Sequence, residues 1–154
     1  MPLIIISSWV SYTDLVETTN ELFQLPYDPV NRIAVSIHYY IPASFAILTE
    51  DADWAKAQSE WGSASDLQEL TNNLNLIKTR YIDNGVPVII GEYGCPTENK
   101  DPESVRSYIY NVCKEIYDRH MVPVLWDVTD HFYNRTSFQM IDPVLRDKLM
   151  SIPQ

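Results

Sequence analysis

Basic charge is scarce in this chain and never clustered. Eleven Lys and Arg stand against 21 Asp and Glu, a formal net charge of −10, with no more than two basic residues together anywhere. Such a surface repels phosphate backbones and anionic lipid, which excludes nucleic-acid and membrane-surface roles and favours a neutral or cationic ligand. Cysteine is nearly missing as well. Cys95 and Cys113 have neither CxxC spacing nor histidine-rich company, so neither a disulfide framework nor a metal site is expected, and no cofactor is implied. Long apolar runs are absent too. The opening Met1-Pro2-Leu3-Ile4-Ile5-Ile6 has no basic residues ahead of it and is too short for a signal peptide or a membrane span. No export signal and no membrane contact are expected from these residues.

What is present is a core's worth of apolar side chains. At 154 residues and 45% hydrophobic content, the chain is long enough to fold as one domain over residues 1–154. The stretch Pro87-Val88-Ile89-Ile90-Gly91-Glu92-Tyr93-Gly94 organises the rest. A short β-branched run opened by proline reads as a buried parallel strand, and Glu92 falls at its C-terminal end. In α/β sheets and (β/α) barrels that end carries the chemistry, because the loops leave a crevice above it. Gly91 and Gly94 allow close backbone approach around the acid, and Tyr93 sets a phenol beside it. A lone strand-end carboxylate is often only a cap or an ion-pair partner; these neighbours favour a functional group.

The remaining elements follow in order. Residues 3 to 7 read as a first strand and residues 13 to 25 as a helix, with Leu15, Val16, Leu22 and Phe23 on one face and Pro26 stopping it. Residues 32 to 38 form a second strand that runs into His38-Tyr39-Tyr40. A connection of some two dozen residues comes next, far beyond the usual ~2 to 6. Its aromatics, Tyr40, Phe45, Trp54 and Trp61, are either a small core under the loop or a stacking floor for a flat sugar face. Ser65-Asp66-Leu67-Gln68 reads as a capping box for a helix with Leu67, Leu70, Leu74, Ile77 and Tyr81 at spacings of three and four, ended by Asn84-Gly85. Asp101-Pro102 opens a third helix striped by Val105, Ile109, Val112 and Ile116. A fourth strand, residues 122 to 126, repeats the Val-Pro pattern of residues 86 and 87 after 36 residues, and Asp142-Pro143 starts a last helix to about residue 150.

Four strand-helix units predict an α/β fold: a (β/α)4 half of a TIM-type barrel, with parallel strands and helices outside. Such a sheet leaves an inner face and two edges uncovered, so completion by association is expected, either as a homodimer or by pairing with a second half-barrel.

Several motifs together resemble glycoside hydrolase family 5, the cellulase family. His38-Tyr39-Tyr40, Ile90-Gly91-Glu92-Tyr93-Gly94 and Trp126-Asp127 look like its last strand ends. Trp61-Gly62 and Phe138-Gln139-Met140-Ile141-Asp142 are similar to its subfamily 4 endoglucanases and xyloglucanases. The resemblance covers nearly the whole chain but only the second half of the family's (β/α)8 barrel. It implies a β-1,4-glucan substrate, Glu92 as nucleophile, His38 and Tyr40 hydrogen-bonded around it, and Trp126 as the floor of a sugar subsite. Trp9 and Trp61 would add stacking faces, and the protein would work outside the cell, as the family's enzymes mostly do. The family's acid/base glutamate belongs to strands not present here. In a closed dimer Asp127 would stand near that position as a substitute acid. The alternative is an inert glycan-binding half-barrel or a truncated or engineered fragment.

Overall fold

A computed structural model describes residues 4–7, 14–127 and 130–152, residues 4–7 and 14 by backbone alone. Its centre is a four-stranded sheet of β1 (Ile4–Ser7), β2 (Ile33–Tyr39), β3 (Val88–Tyr93) and β4 (Val122–Leu125), in that spatial order and parallel throughout. Helices α1 (Asp14–Thr19), α3 (Ala64–Arg80) and α4 (Pro102–Asp118) lie between successive strands, and α5 (Pro143–Met150) follows β4. Strand then helix, four times over with sequential neighbours paired, is half of a (β/α)8 barrel.

One face of the sheet makes the core. Val35, Ile37 and Tyr39 from β2 and Val88, Ile90 and Tyr93 from β3 are at most 2% exposed. They pack with Leu70, Leu74 and Ile77 of α3 and Val105, Ile109, Val112 and Ile116 of α4. These are the positions that the helical spacing marks as apolar stripes. The α4 start is as expected, with the Asp101 carboxylate accepting the Ser104 N–H at 2.8 Å and Pro102 next.

Two helix boundaries differ from expectation. The capping box of α3 is set two residues earlier, on Ser63 and Asp66: the Ser63 hydroxyl accepts from the Asp66 N–H, and the Asp66 carboxylate accepts the Ser63 N–H at 2.9 Å. Asp66 therefore acts as the reciprocal acid of the box, and Ser65 lies inside the helix. Helix α1 ends at Thr19 rather than near residue 25, leaving Val16 and Leu22 exposed. Its stop is local. The Thr19 hydroxyl bonds back to the Leu15 carbonyl at 2.6 Å and the Asn20 side chain accepts the Leu22 N–H at 2.8 Å, so side chains satisfy backbone groups that a helix would use. The Thr13 cap expected for this helix lies outside the described residues.

The long connection, residues 40–63, contains a single-turn helix α2 (Ala43–Ala46) and a tight turn bridged between Ala52 and Ala55. After β4 a two-residue hairpin, β5 (Tyr133–Asn134) with β6 (Gln139–Met140), precedes α5; the sequence pattern did not anticipate it. No helix among the described residues is long and apolar enough to cross a membrane.

Candidate active site

The strand ends converge where a register break re-aims one side chain. Ile37 pairs with Ile90, but His38 pairs with Glu92, so Gly91 is an extra residue in β3. Counting by twos from Val88 and Ile90 would put Glu92 on the helix-covered face. The bulge turns it to the other face, beside His38, as bulges do near binding sites. The extra position is tight: a Cβ on Gly91 would come 2.5 Å from the Ser36 Oγ, so that hydroxyl would have to move. Gly94 is also confined, with a Cβ there 3.1 Å from the Trp126 carbonyl oxygen.

Three polar groups then meet. The Tyr40 hydroxyl donates to the Glu92 carboxylate, Oη to Oε2, at 3.0 Å. His38 Nε2 stands 3.6 Å from Glu92 Oε1, an ion-pair distance when the imidazole is protonated. The side chains of His38 and Glu92 are about a quarter exposed, open enough to meet a ligand. Burial first, then the hydrogen bond to Glu92 and its charge, push the Tyr40 phenol well above its ordinary range, so it stays a donor at any physiological pH. An ionised carboxylate aimed by a phenol is a nucleophile's arrangement.

Trp126 extends this floor. Its backbone N–H donates to the Tyr93 carbonyl at 2.9 Å, and the residue is 45% exposed. Together with Tyr40, Gly94, Asp127 and His131 it lines a small cavity of about 170 Å³. His131 reads in the sequence as a loop polar group; its Nδ1 lies 3.0 Å from the Thr97 hydroxyl, which brings the ring to this cavity. Only the loop's folded path shows this, since nothing in its spacing marks it.

Three expected site residues stand elsewhere or are otherwise engaged. Tyr93 is 2% exposed on the helix-covered face, its phenol against the Cys113 thiol, because the bulge that turns Glu92 outward leaves Tyr93 inward. Trp61 is 6% exposed and packs edge-on against Tyr108 at 5.1 Å, so its ring is core and not a stacking floor. The Asp127 carboxylate accepts the N–H groups of His131, Phe132 and Tyr133 at 3.0, 3.2 and 2.7 Å. A carboxylate spent on three backbone donors organises its loop and does not offer a proton, which removes it as the substitute acid. Trp9 lies outside the described residues. Among the described residues, the polar partners of Glu92 are one phenol and one imidazole, with no second carboxyl, and no group of three metal-ligating side chains occurs.

Known proteins resemble this chain in sequence and in fold. The family profile Cellulase (glycosyl hydrolase family 5) matches residues 2–132. A xyloglucan-specific endo-β-1,4-glucanase of Bacteroides ovatus is 34% identical over 142 residues, covering 76% of this chain and 26% of that protein. The cellulase/esterase CelE of Acetivibrio thermocellus is 31% identical over 125 residues, covering 81% of this chain and 13% of its own. Among solved structures, a GH5-4 broad specificity endoglucanase from an uncultured bovine rumen ciliate superposes with a TM-score of 0.87 at 29% identity, over 97% of this chain and 47% of that one. The Bacteroides ovatus GH5 xyloglucanase, solved with a XXXG heptasaccharide, gives a TM-score of 0.75 at 27% identity, over 91% of this chain and 34% of its own. The chain thus spans about half of the ciliate enzyme and about a quarter or less of these curated relatives.

Proposed function

This chain belongs to glycosyl hydrolase family 5, the cellulase family, and from that premise we propose that residues 1–154 form the nucleophile-bearing half of a β-1,4-glucan hydrolase. The observation that carries the reading is the 3.0 Å bond from Tyr40 to Glu92 on a sheet face that also displays Trp126.

In this reading a glucan chain stacks the apolar face of one ring on Trp126. Glu92 attacks the anomeric carbon, the glycosidic C–O bond breaks, and a glycosyl ester forms on the carboxylate. Tyr40 and His38 hold the carboxylate in position. The departing oxygen needs a proton, and water must later be activated to release the sugar; a second carboxyl about 5 to 5.5 Å from Glu92 does both in retaining enzymes. Asp127 is committed to its loop, so in this reading the second carboxyl is supplied by the complementary half of a (β/α)8 barrel, whether that half is a second copy of this chain, a separate partner or part of a longer polypeptide.

Reducing-end release from mixed-linkage glucan, measured beside mass in solution, tests this. Activity is expected only in an associated species and falls by at least about 10³-fold in Glu92→Gln, the scale of losing a nucleophile. A monomer that cleaves as well as the dimer, or a Glu92→Gln variant that cleaves like wild type, overturns it. The second reading, glycan binding without cleavage, is favoured because the partners of Glu92 among the described residues are a phenol and an imidazole and not a carboxyl; cello-oligosaccharide binding with no new reducing ends identifies it. On either reading a polysaccharide ligand, too large to enter a cell, supports work outside it.

A further inference from the structure

The long connection after β2 is held at both ends by three consecutive residues from the loop after β3. Asn99 donates to the Thr49 carbonyl at 3.1 Å, the Lys100 ammonium to the Leu48 and Gln58 carbonyls at 2.6 Å each, and the Asp101 N–H to the Ser59 carbonyl at 2.8 Å. Lys100 is 8% exposed, with its nitrogen 5.0 Å from the centre of the Phe45 ring. Two carbonyls and a ring face replace the water such a charge gives up. A buried ammonium bonded to carbonyls ten residues apart closes the segment between them.

Inside that clasp the backbone is tied again. The Ala52 N–H bonds to the Ala55 carbonyl at 2.9 Å, and the Asp51 carboxylate accepts the Ala57 N–H at 3.0 Å. The tip of the resulting turn is Asp53-Trp54, and Trp54 is 65% exposed. Turn tips ordinarily take small or polar residues, and an indole left in water contributes nothing to the fold. Here the turn is braced and the indole is presented. Of the loop's aromatics, Phe45 and Trp61 are core and Tyr40 serves Glu92, so Trp54 is the ring left facing outward.

Both loops leave the sheet from the ends of β2 and β3 that carry Tyr40 and Glu92. Resting on the glycan reading above, we propose that Trp54 is a second stacking platform, outside the site around Glu92, for a neutral β-linked glucan chain, with Lys100 as the positioning residue that holds it out. The ligand is neutral because Glu50, Asp51 and Asp53 crowd this turn, and Lys56 is drawn to Asp51 at 3.4 Å. Anionic polysaccharides meet like charge there.

Titration calorimetry of the full chain with cellotriose and cellohexaose tests it. Trp54→Ala is expected to weaken cellohexaose by about 2- to 10-fold, the scale of one ring contact, and to leave cellotriose within about twofold. Lys100→Met should reproduce that length-dependent split, and Lys100→Arg should restore part of it; a merely structural role would shift both ligands together. Trp54 is at an exposed turn tip, so its variant keeps the fold even where a Lys100 variant does not. Unchanged cellohexaose binding in Trp54→Ala, with wild type still binding through Trp126, overturns this proposal alone, as does equal loss for both sugars. A wild type that binds neither sugar overturns the glycan reading with it.

Discussion

The two faces of the sheet differ most along β4, for on β2 even the face away from the helices is covered at Ala34 and Ser36. On the helix-covered side Val35, Ile37, Val88 and Ile90 are at most 1% exposed. On the other side Val122, Val124 and Trp126 are 54, 42 and 45% exposed, beside a carboxylate and an imidazole. Parallel sheets normally bury both faces. The comparison teaches that folding energy and chemistry are separated here. One face holds the half-barrel together, and the other presents reactive groups on a surface that half of a barrel leaves uncovered.

The largest test of that separation is a pair of truncations. Ile90→Ala, on the covered face, should cost about 2 to 5 kcal/mol in urea unfolding, the usual range for a buried Ile. Val124→Ala, on the open face, should cost less than about 1 kcal/mol in the isolated chain, since 42% of its surface is already in water and the truncation opens no enclosed cavity. Equal costs would mean that the open face is covered in solution. A Val124→Ala cost that grows with protein concentration would show what covers it, namely a second copy.

The covered face was readable from sequence, because helical spacing and β-branched runs report burial directly. The stripe Val105, Ile109, Val112, Ile116 and the cap at Asp101 stand where the pattern puts them. The open face was readable only in composition. His38, Tyr40 and Glu92 were identifiable as strand-end groups, yet their meeting depends on an extra residue at Gly91, and a bulge leaves no periodic trace. The same bulge explains why Tyr93, adjacent to the acid in sequence, points the other way. Trp61 and Asp127 were misplaced for a related reason. Whether a loop Trp is buried depends on a distant partner, here Tyr108 of α4, and whether a loop Asp is free depends on which N–H groups the chain folds back toward it.

A smaller effect tests the bulge itself. Gly91→Ala brings a Cβ against the Ser36 Oγ and should cost about 1 to 3 kcal/mol, as overpacking does. Ser36→Ala removes that oxygen, so the double variant should recover much of the loss, and a double-mutant cycle measures the coupling. Additive costs would show that the strain comes from the backbone and not from this contact. Because Glu92 follows directly, glucan cleavage should fall further in Gly91→Ala than stability does.

The smallest effect lies where the two faces meet. Cys95 follows β3, is 6% exposed, and lines the cavity beside Tyr40 and Trp126. Burial pushes its thiol from 9.0 up to about 12. A thiol whose folded value is raised contributes its stability fully below pH 9 and loses it as the pH climbs towards 12, because the unfolded chain ionises first. Between pH 8 and pH 10 wild type should therefore lose about 1 kcal/mol that Cys95→Ala does not. Cys113, raised by burial as well, adds a loss over the same range in both proteins and so cancels in the comparison, and Tyr39, Tyr93 and Tyr108 add theirs from about their ordinary value of 10.0 upward, again in both. Urea midpoints taken at pH 8, 9 and 10 separate the two. Parallel slopes for wild type and Cys95→Ala would show that the cavity beside Trp126 is wet enough to solvate a thiolate, and would move the boundary between the covered and open faces inward past Cys95.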